Sequence, residues 1–217
     1  MKKEGKKSLI IGVALIVAFA LWTILILTVD VRAVGVNGTT VGLAGVNTWL
    51  HRLTGTNMTL YTMTDWLGLV PIGVCFAFGV VGLIQLIKRR GLMRVDHDIT
   101  LLGIYYVIVI AAYLIFEMLP INYRPILING FMETSYPSST TLLVLGVMPT
   151  LIFQARRRLN SIAAKIVGVL SGGFSVFMII GRLLSGVHWL TDIVGSVLIS
   201  AGLFCVYRAA VLLFDKK

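Results

Sequence analysis

The segment Gly181-Arg-Leu-Leu-Ser-Gly-Val-His-Trp-Leu-Thr-Asp192 runs directly into an apolar stretch that reaches Ala210. A cation, an imidazole and a carboxylate ahead of a long apolar run describe a polar site at the end of a membrane helix. A helix beginning at Leu190 places His188 and Asp192 four residues apart at its start. The carboxylate can then accept one ring N–H and leave the other nitrogen free to attack. Arg182 supplies a fixed cation for an anionic ligand. The bland alternative is that His188 and Asp192 are only a structural pair capping the last helix.

Outward from that segment, the whole chain reads as membrane protein. Of its 217 residues 58% are hydrophobic and 13% charged, with a mean hydropathy of +0.94, far too apolar for an ordinary soluble domain. Runs of spanning length lie at Leu9 to Val29, Trp66 to Ile87, Ile99 to Leu119, Ile162 to Ile180 and Leu190 to Ala210, with a shorter one from Pro137 to Gln154. Pro149 is expected to kink this shorter run, a fault that neighbouring helices absorb. The expected fold is therefore an all-α, six-span transmembrane bundle forming one domain over 1–217.

The net charge of +10 does not point to nucleic acid, because Lys and Arg sit in short clusters between apolar runs. One side collects fifteen of them, in clusters at Lys2 to Lys7, Lys88 to Arg94, Arg156 to Lys165 and Arg208 to Lys217, against Arg32, Arg52, Arg124 and Arg182 on the other. Both termini are thus expected in the cytoplasm. Met1 to Val29 has the basic start of a secretion signal, but its long apolar run and lack of a small-x-small site favour a retained anchor. Cys75 and Cys205 lie in apolar runs and read as small core residues rather than a disulfide. Val46-Asn-Thr-Trp-Leu-His-Arg-Leu53 suits a short interfacial helix, while the sequons at Asn37 and Asn57 carry no weight.

Three polar segments fall on the same expected outer face: Ile121-Asn-Tyr-Arg-Pro125, Ser135-Tyr-Pro-Ser-Ser-Thr-Thr141, and Arg182 to Asp192. In the second, Pro137 suits a first helical turn, so that Ser138, Ser139 and Thr140 offer N–H groups and hydroxyls at a helix N-terminus. Such an end favours phosphate. Arg124 and Arg182 add two guanidinium forks matched to phosphoryl oxygens.

With these residues in view, the chain resembles the type 2 phosphatidic acid phosphatase family, membrane lipid phosphatases related to vanadium haloperoxidases. The signature region is 117–192. The family's third motif, Ser-Arg, five residues, His, three residues, Asp, matches at Arg182, His188 and Asp192, with Gly181 in place of Ser and Gly186 where the family often has Gly. The resemblance implies a six-span bundle with His188 as nucleophile, Asp192 orienting it, and Arg124, Arg182 and the amides near Ser138 and Gly186 holding the phosphoryl oxygens. A phosphohistidine is then hydrolysed by water, with no metal and no cofactor. The implied substrate is an amphiphilic lipid phosphate or diphosphate, taken at the outer face of a bacterial cytoplasmic membrane.

Two departures stand out. Glu117 occupies the first motif's Lys position, and Pro-Ser-Gly-His reads Pro137-Ser-Ser-Thr140, so the leaving-group acid is missing. General-acid help is worth about 10²- to 10⁴-fold. One expectation is a diphosphate substrate, whose leaving group needs an acid less; another is that Glu117, Glu133 or Tyr136 takes over as acid. The rivals from other classes are a catalytically dead lipid-phosphate binder and a transporter or scaffold using the same anion pocket. Elsewhere, His51 and His97 read as solvated loop residues remote from the site, and Arg156, Arg157 and Arg158 as a topology anchor. Trp22, Trp49, Trp66 and Trp189 read as interface anchors, Trp189 also as a candidate wall of the pocket. Gly168, Gly172 and Gly173 are expected to let the fifth span pack closely on a neighbour.

Overall fold

The structure, a computed structural model, describes residues 2–214; Lys216 and Lys217 of the charge pattern lie outside the described residues. Helices α1 (Lys2–Thr28), α2 (Ala44–Thr54), α3 (Met58–Leu67), α4 (Leu69–Arg89), α5 (His97–Met118), α6 (Ser139–Arg158), α7 (Ser161–Leu184) and α8 (Leu190–Phe214) follow in chain order. Six spans are long and apolar enough to cross a membrane, α3 and α4 counting as one. Among the described residues the only β pairing is three isolated bridges.

The second span starts earlier than its hydropathy suggests. Asn57 caps α3 by accepting the Leu60 N–H at 2.9 Å, which gives that sequon Asn a structural role. The break at Gly68 has a cause downstream: Pro71 lacks an N–H and its ring crowds the Leu67 carbonyl. α3 therefore ends where α4 begins, and its polar residues stand at one end of the bundle.

α6 is the central helix, packed on α4, α5, α7 and α8. It runs continuously through Pro149. Buried polar groups surround that position: Tyr105 donates to the Gly146 carbonyl at 2.7 Å, and Thr150, paired with the Tyr106 hydroxyl, donates to the Val147 carbonyl. They stabilise carbonyls in a turn that proline disturbs. α1 lies along α8, where Gly12 and Gly202 let the backbones approach: a Cβ on Gly12 would come within 3.0 Å of the Gly202 carbonyl. Side chains of Phe19, Phe116 and Tyr136 fill the gap beside α1.

Three expectations are corrected here. Pro137 precedes the helix, because the Ser138 N–H bonds to the Asp192 carbonyl at 3.2 Å and α6 begins only at Ser139. A Cβ at Gly172 or Gly173 meets nothing within 4 Å and one at Gly168 only Ile152 at 3.9 Å, so these glycines do not mediate close packing within the chain. Trp22 is not simply an interface anchor, since its indole N–H donates to the Thr191 carbonyl at 3.1 Å.

Candidate active site

The loop between α7 and α8 carries His188, and its shape depends on Gly186. That residue has φ +66°, and a Cβ there would fall 1.8 Å from the Gly55 carbonyl oxygen. Only glycine fits both the left-handed backbone and the close approach. His51 closes the same contact, its Nε2 lying 3.1 Å from the Gly186 carbonyl and its ring 5.5 Å from Trp189. His51 is thus a support of the site loop and not a remote loop residue. His97 does lie at the opposite end, against Phe214.

Asp192 sits in the first turn of α8, fully buried, and its Oδ2 accepts the Trp189 N–H at 2.9 Å. This is half of a capping box, so the carboxylate is fixed by the helix it starts. The same oxygen lies 3.5 Å from His188 Nδ1, an approach in ion-pair range without a closed hydrogen bond. Asn122 and Ser135 also face this carboxylate, and their buried polar atoms lack closer partners. Asn47 pins Thr191 from α2, accepting its N–H at 3.2 Å and donating to its hydroxyl at 3.0 Å.

On the other side of the imidazole, Nε2 faces two guanidinium groups, Arg182 Nη2 at 3.1 Å and Arg124 Nη1 at 3.4 Å. Guanidinium only donates, so Nε2 is the acceptor and the ring proton belongs on Nδ1, toward Asp192. Burial, then the charges of Arg124 and Arg182, push the His188 pKa well below the ordinary imidazole value, against a smaller opposing pull from the Ser135 carbonyl. The ring is a neutral base with its lone pair aimed at two cations.

Arg124 reaches this point from a hairpin that hydropathy alone did not reveal. Its N–H donates to the Glu133 carbonyl, Ser135 N–H donates to Asn122, and the tip turns at Asn129-Gly130, both at positive φ. Asn-Gly between apolar residues is a sequence signature of such a two-residue turn. The hairpin puts Glu133 Oε2 3.0 Å from Arg124 Nε. α3 supplies two more neighbours, Asp65 at 3.5 Å from Arg182 Nη1 and Tyr61, whose ring lies 5.0 Å from the Arg182 guanidinium and 5.8 Å from that of Arg124.

Tyr61, Asp65, Arg124 and Glu133 border a cavity of about 400 Å³ whose walls also include Glu117, Ser139 and Thr140, while Arg182, His188 and Asp192 are buried and are not among its walls. Of the sequence candidates, the structure brings together Arg124, Arg182, His188 and Asp192, with Glu117, Glu133, Ser139 and Thr140 around them. Three depart from expectation. Ser138 and Gly186 use their N–H groups on the carbonyls of Asp192 and Leu183, so neither amide is open to a ligand. Tyr136 points away, its hydroxyl 2.7 Å from Thr23 and its ring stacked on Phe19, which removes it as a proton donor to the cavity. Trp189 is buried and donates to the Tyr123 carbonyl at 2.8 Å, tying the histidine loop to the hairpin.

Residues 74–214 match the PAP2 superfamily. The chain belongs to that superfamily. A search of the curated proteins finds no match. Among solved structures, the PAP2 chain resembles the crystal structure of the first transmembrane PAP2-type phosphatidylglycerolphosphate phosphatase, from Bacillus subtilis. The TM-score is 0.62 at 16% identity, covering 94% of this chain and 98% of that one. At that identity the likeness establishes the fold: a multi-pass PAP2-type membrane phosphatase fold. The PAP2 match begins after α3, so Tyr61, Asp65, Asn47 and His51 come from outside the matched stretch.

Proposed function

We propose that this PAP2 protein is a lipid phosphatase that works through a phosphohistidine at the extracytoplasmic face. The observation that carries the proposal is the His188 ring, with Nδ1 toward Asp192 and Nε2 between two arginines. Phosphoryl oxygens accept more strongly than a ring nitrogen, so an entering phosphate draws Arg124 and Arg182 onto itself and frees the Nε2 lone pair. Ser139 and Thr140, at the start of α6, add amides that lack intrahelical acceptors.

Nε2 then attacks phosphorus, the P–N bond forms as the bond to the leaving oxygen breaks, and the ring becomes cationic beside Asp192. Water attacks the phosphohistidine, the P–N bond breaks, and inorganic phosphate leaves with the neutral ring restored. The arginines neutralise charge throughout, which is the main demand of phosphoryl transfer. Thr140 offers no acid for an alkoxide. We therefore assign a preference for lipid diphosphates, whose leaving group departs as a phosphate monoester, with Glu117 and Glu133 as the acids in reach for a monophosphate.

The test is phosphate release from matched lipid mono- and diphosphates by the purified protein and by His188→Ala. Release from the diphosphate at least about 10²-fold faster than from the monophosphate is expected, with none from His188→Ala and an acid-labile phosphoryl group trapped on His188. Equal rates on the two substrates would remove the diphosphate preference. One observation favours a second reading, a phosphate binder without turnover: Glu133 and Asp65 already pair with the two arginines. Binding of both lipids without release from either would establish it.

A further inference from the structure

At the end of the bundle opposite the candidate site, α6 and α7 leave a groove of about 780 Å³ between them. On α7 it is bordered by Ser161, Ala164, Lys165, Gly168 and Val169, whose spacing of three and four residues puts them on one face of the helix. α6 contributes Ile152 and Arg156, one turn apart. Polar and apolar walls are sorted along the groove: Arg156, Ser161 and Lys165 stand near the connection between the helices, and Ile152, Gly168 and Val169 lie toward the middle of the two spans. Small residues keep it open. A Cβ on Gly168 would meet only Ile152, at 3.9 Å, and Ala164 is buried one turn nearer the connection.

The three consecutive arginines at the end of α6 are engaged differently. Arg157 and Arg158 pair with Asp98 of α5. Among the described residues, Arg156 and Lys165 form no ion pair, and no acidic side chain borders the groove. Ile152 and Arg156 also border a second groove toward α8, but its other cations, Arg157 and Arg208, are already met by Asp98 and Glu4. A guanidinium and an ammonium on facing membrane spans, at the mouth of an apolar groove, therefore leave positive charge to be matched by an anionic headgroup. Lys165 and Arg182 stand seventeen residues apart on α7, about 25 Å at the helical rise, so this groove is distinct from the candidate active site.

We propose that the groove binds an anionic phospholipid of the leaflet opposite the candidate site, with its phosphate between Arg156 and Lys165 and one acyl chain along Ile152, Ala164 and Gly168. Ser161 to Val169 covers about 12 Å of helix, within one leaflet's half of a hydrocarbon core about 30 Å thick. The binding does not depend on turnover at His188.

The test titrates the full-length protein in detergent with phosphatidylglycerol and with phosphatidylcholine of the same acyl chains, bound lipid being counted by native mass spectrometry. A cation near the membrane surface is worth about fivefold in affinity, so a preference of about 25-fold for phosphatidylglycerol is expected, and Arg156→Gln with Lys165→Gln should abolish it. Gly168→Leu fills the groove while keeping both charges and should weaken phosphatidylglycerol at least about fivefold. Lys88→Gln with Arg90→Gln removes two charges at the same end of the bundle and should leave binding within about twofold. Equal affinity for the two lipids overturns the proposal. So does a loss in the Lys88 and Arg90 variant as large as in the Arg156 and Lys165 variant, which would mark diffuse charge attraction, and so does displacement of the lipid by an equal concentration of glycerol phosphate, which would mark a bare anion site. A readout that needs no variant is phosphatidylglycerol with a diazirine at mid-chain: crosslinks within 152–169 support the groove, and crosslinks confined to other helices overturn it.

Discussion

His188 owes its neutrality to its surroundings: burial, two guanidinium groups on Nε2 and a carboxylate beyond Nδ1. The consequence for pH follows from linkage. Folding holds the ring's pKa down, so below the ordinary imidazole range, about 6.5, the unfolded chain binds a proton that the folded chain refuses. This group therefore costs stability as pH falls through that range and costs nothing above it. Nitrogen-15 histidine spectra at pH 5.5 are expected to show His188 neutral with its proton on Nδ1; a doubly protonated ring would contradict the geometry. Gly186 offers a second residue-scale check. Gly186→Ala must place a Cβ against the Gly55 carbonyl at positive φ, and thermal unfolding should drop by more than about 5 °C. Gly172→Ala, with open space around it, should leave the transition within about 1 °C.

Among the elements, the hairpin at 121–135 and helix α3 position the arginines. Gly130 at φ +82° tightens the hairpin tip, so Gly130→Val is expected to displace Arg124 and raise KM for a lipid diphosphate several-fold while kcat falls less. Glu133→Gln removes a partner of Arg124 Nε, and tighter binding of inorganic phosphate, by about three- to tenfold, should follow in a calorimetric titration. These elements also mark where the sequence stops being legible. The apolar runs located the spans and the Arg182, His188, Asp192 spacing located the chemistry, because both are local patterns. Tyr61 and Asp65 meet Arg182 across more than a hundred residues, and nothing in the residues around them announces that partner. His51 meets the Gly186 carbonyl across a separation of 135 residues and is hidden in the same way. The hairpin is different, since Asn129-Gly130 signalled a turn that the surrounding hydropathy obscured.

At the scale of the molecule, the two ends of the bundle are separately braced. Opposite the site, Asp98 of α5 receives Arg158 Nη1 at 2.8 Å and Nη2 at 2.9 Å, with Arg157 Nε at 3.2 Å, and Gln154 adds a bond to Tyr207 on α8. Asp98→Ala removes the carboxylate that joins Arg157 and Arg158, while Arg158 keeps Gln154 and Asp96 beside it. A loss of about 2 kcal/mol in stability is expected, measured by denaturant titration in detergent, with phosphate release per folded molecule unchanged. At the site end, the first turn of α8 carries Thr191, which is held by Trp22 of α1 and Asn47 of α2. Both anchors precede the stretch that matches the PAP2 superfamily. A recombinant piece cut to that homologous stretch would contain every charged group facing the imidazole, Arg124, Arg182 and Asp192, yet the imidazole would ride on an untethered helix start. Supplying residues 1–73 as a separate polypeptide in the same membrane should restore the geometry, making the amino-terminal third an assembly partner of the reaction centre.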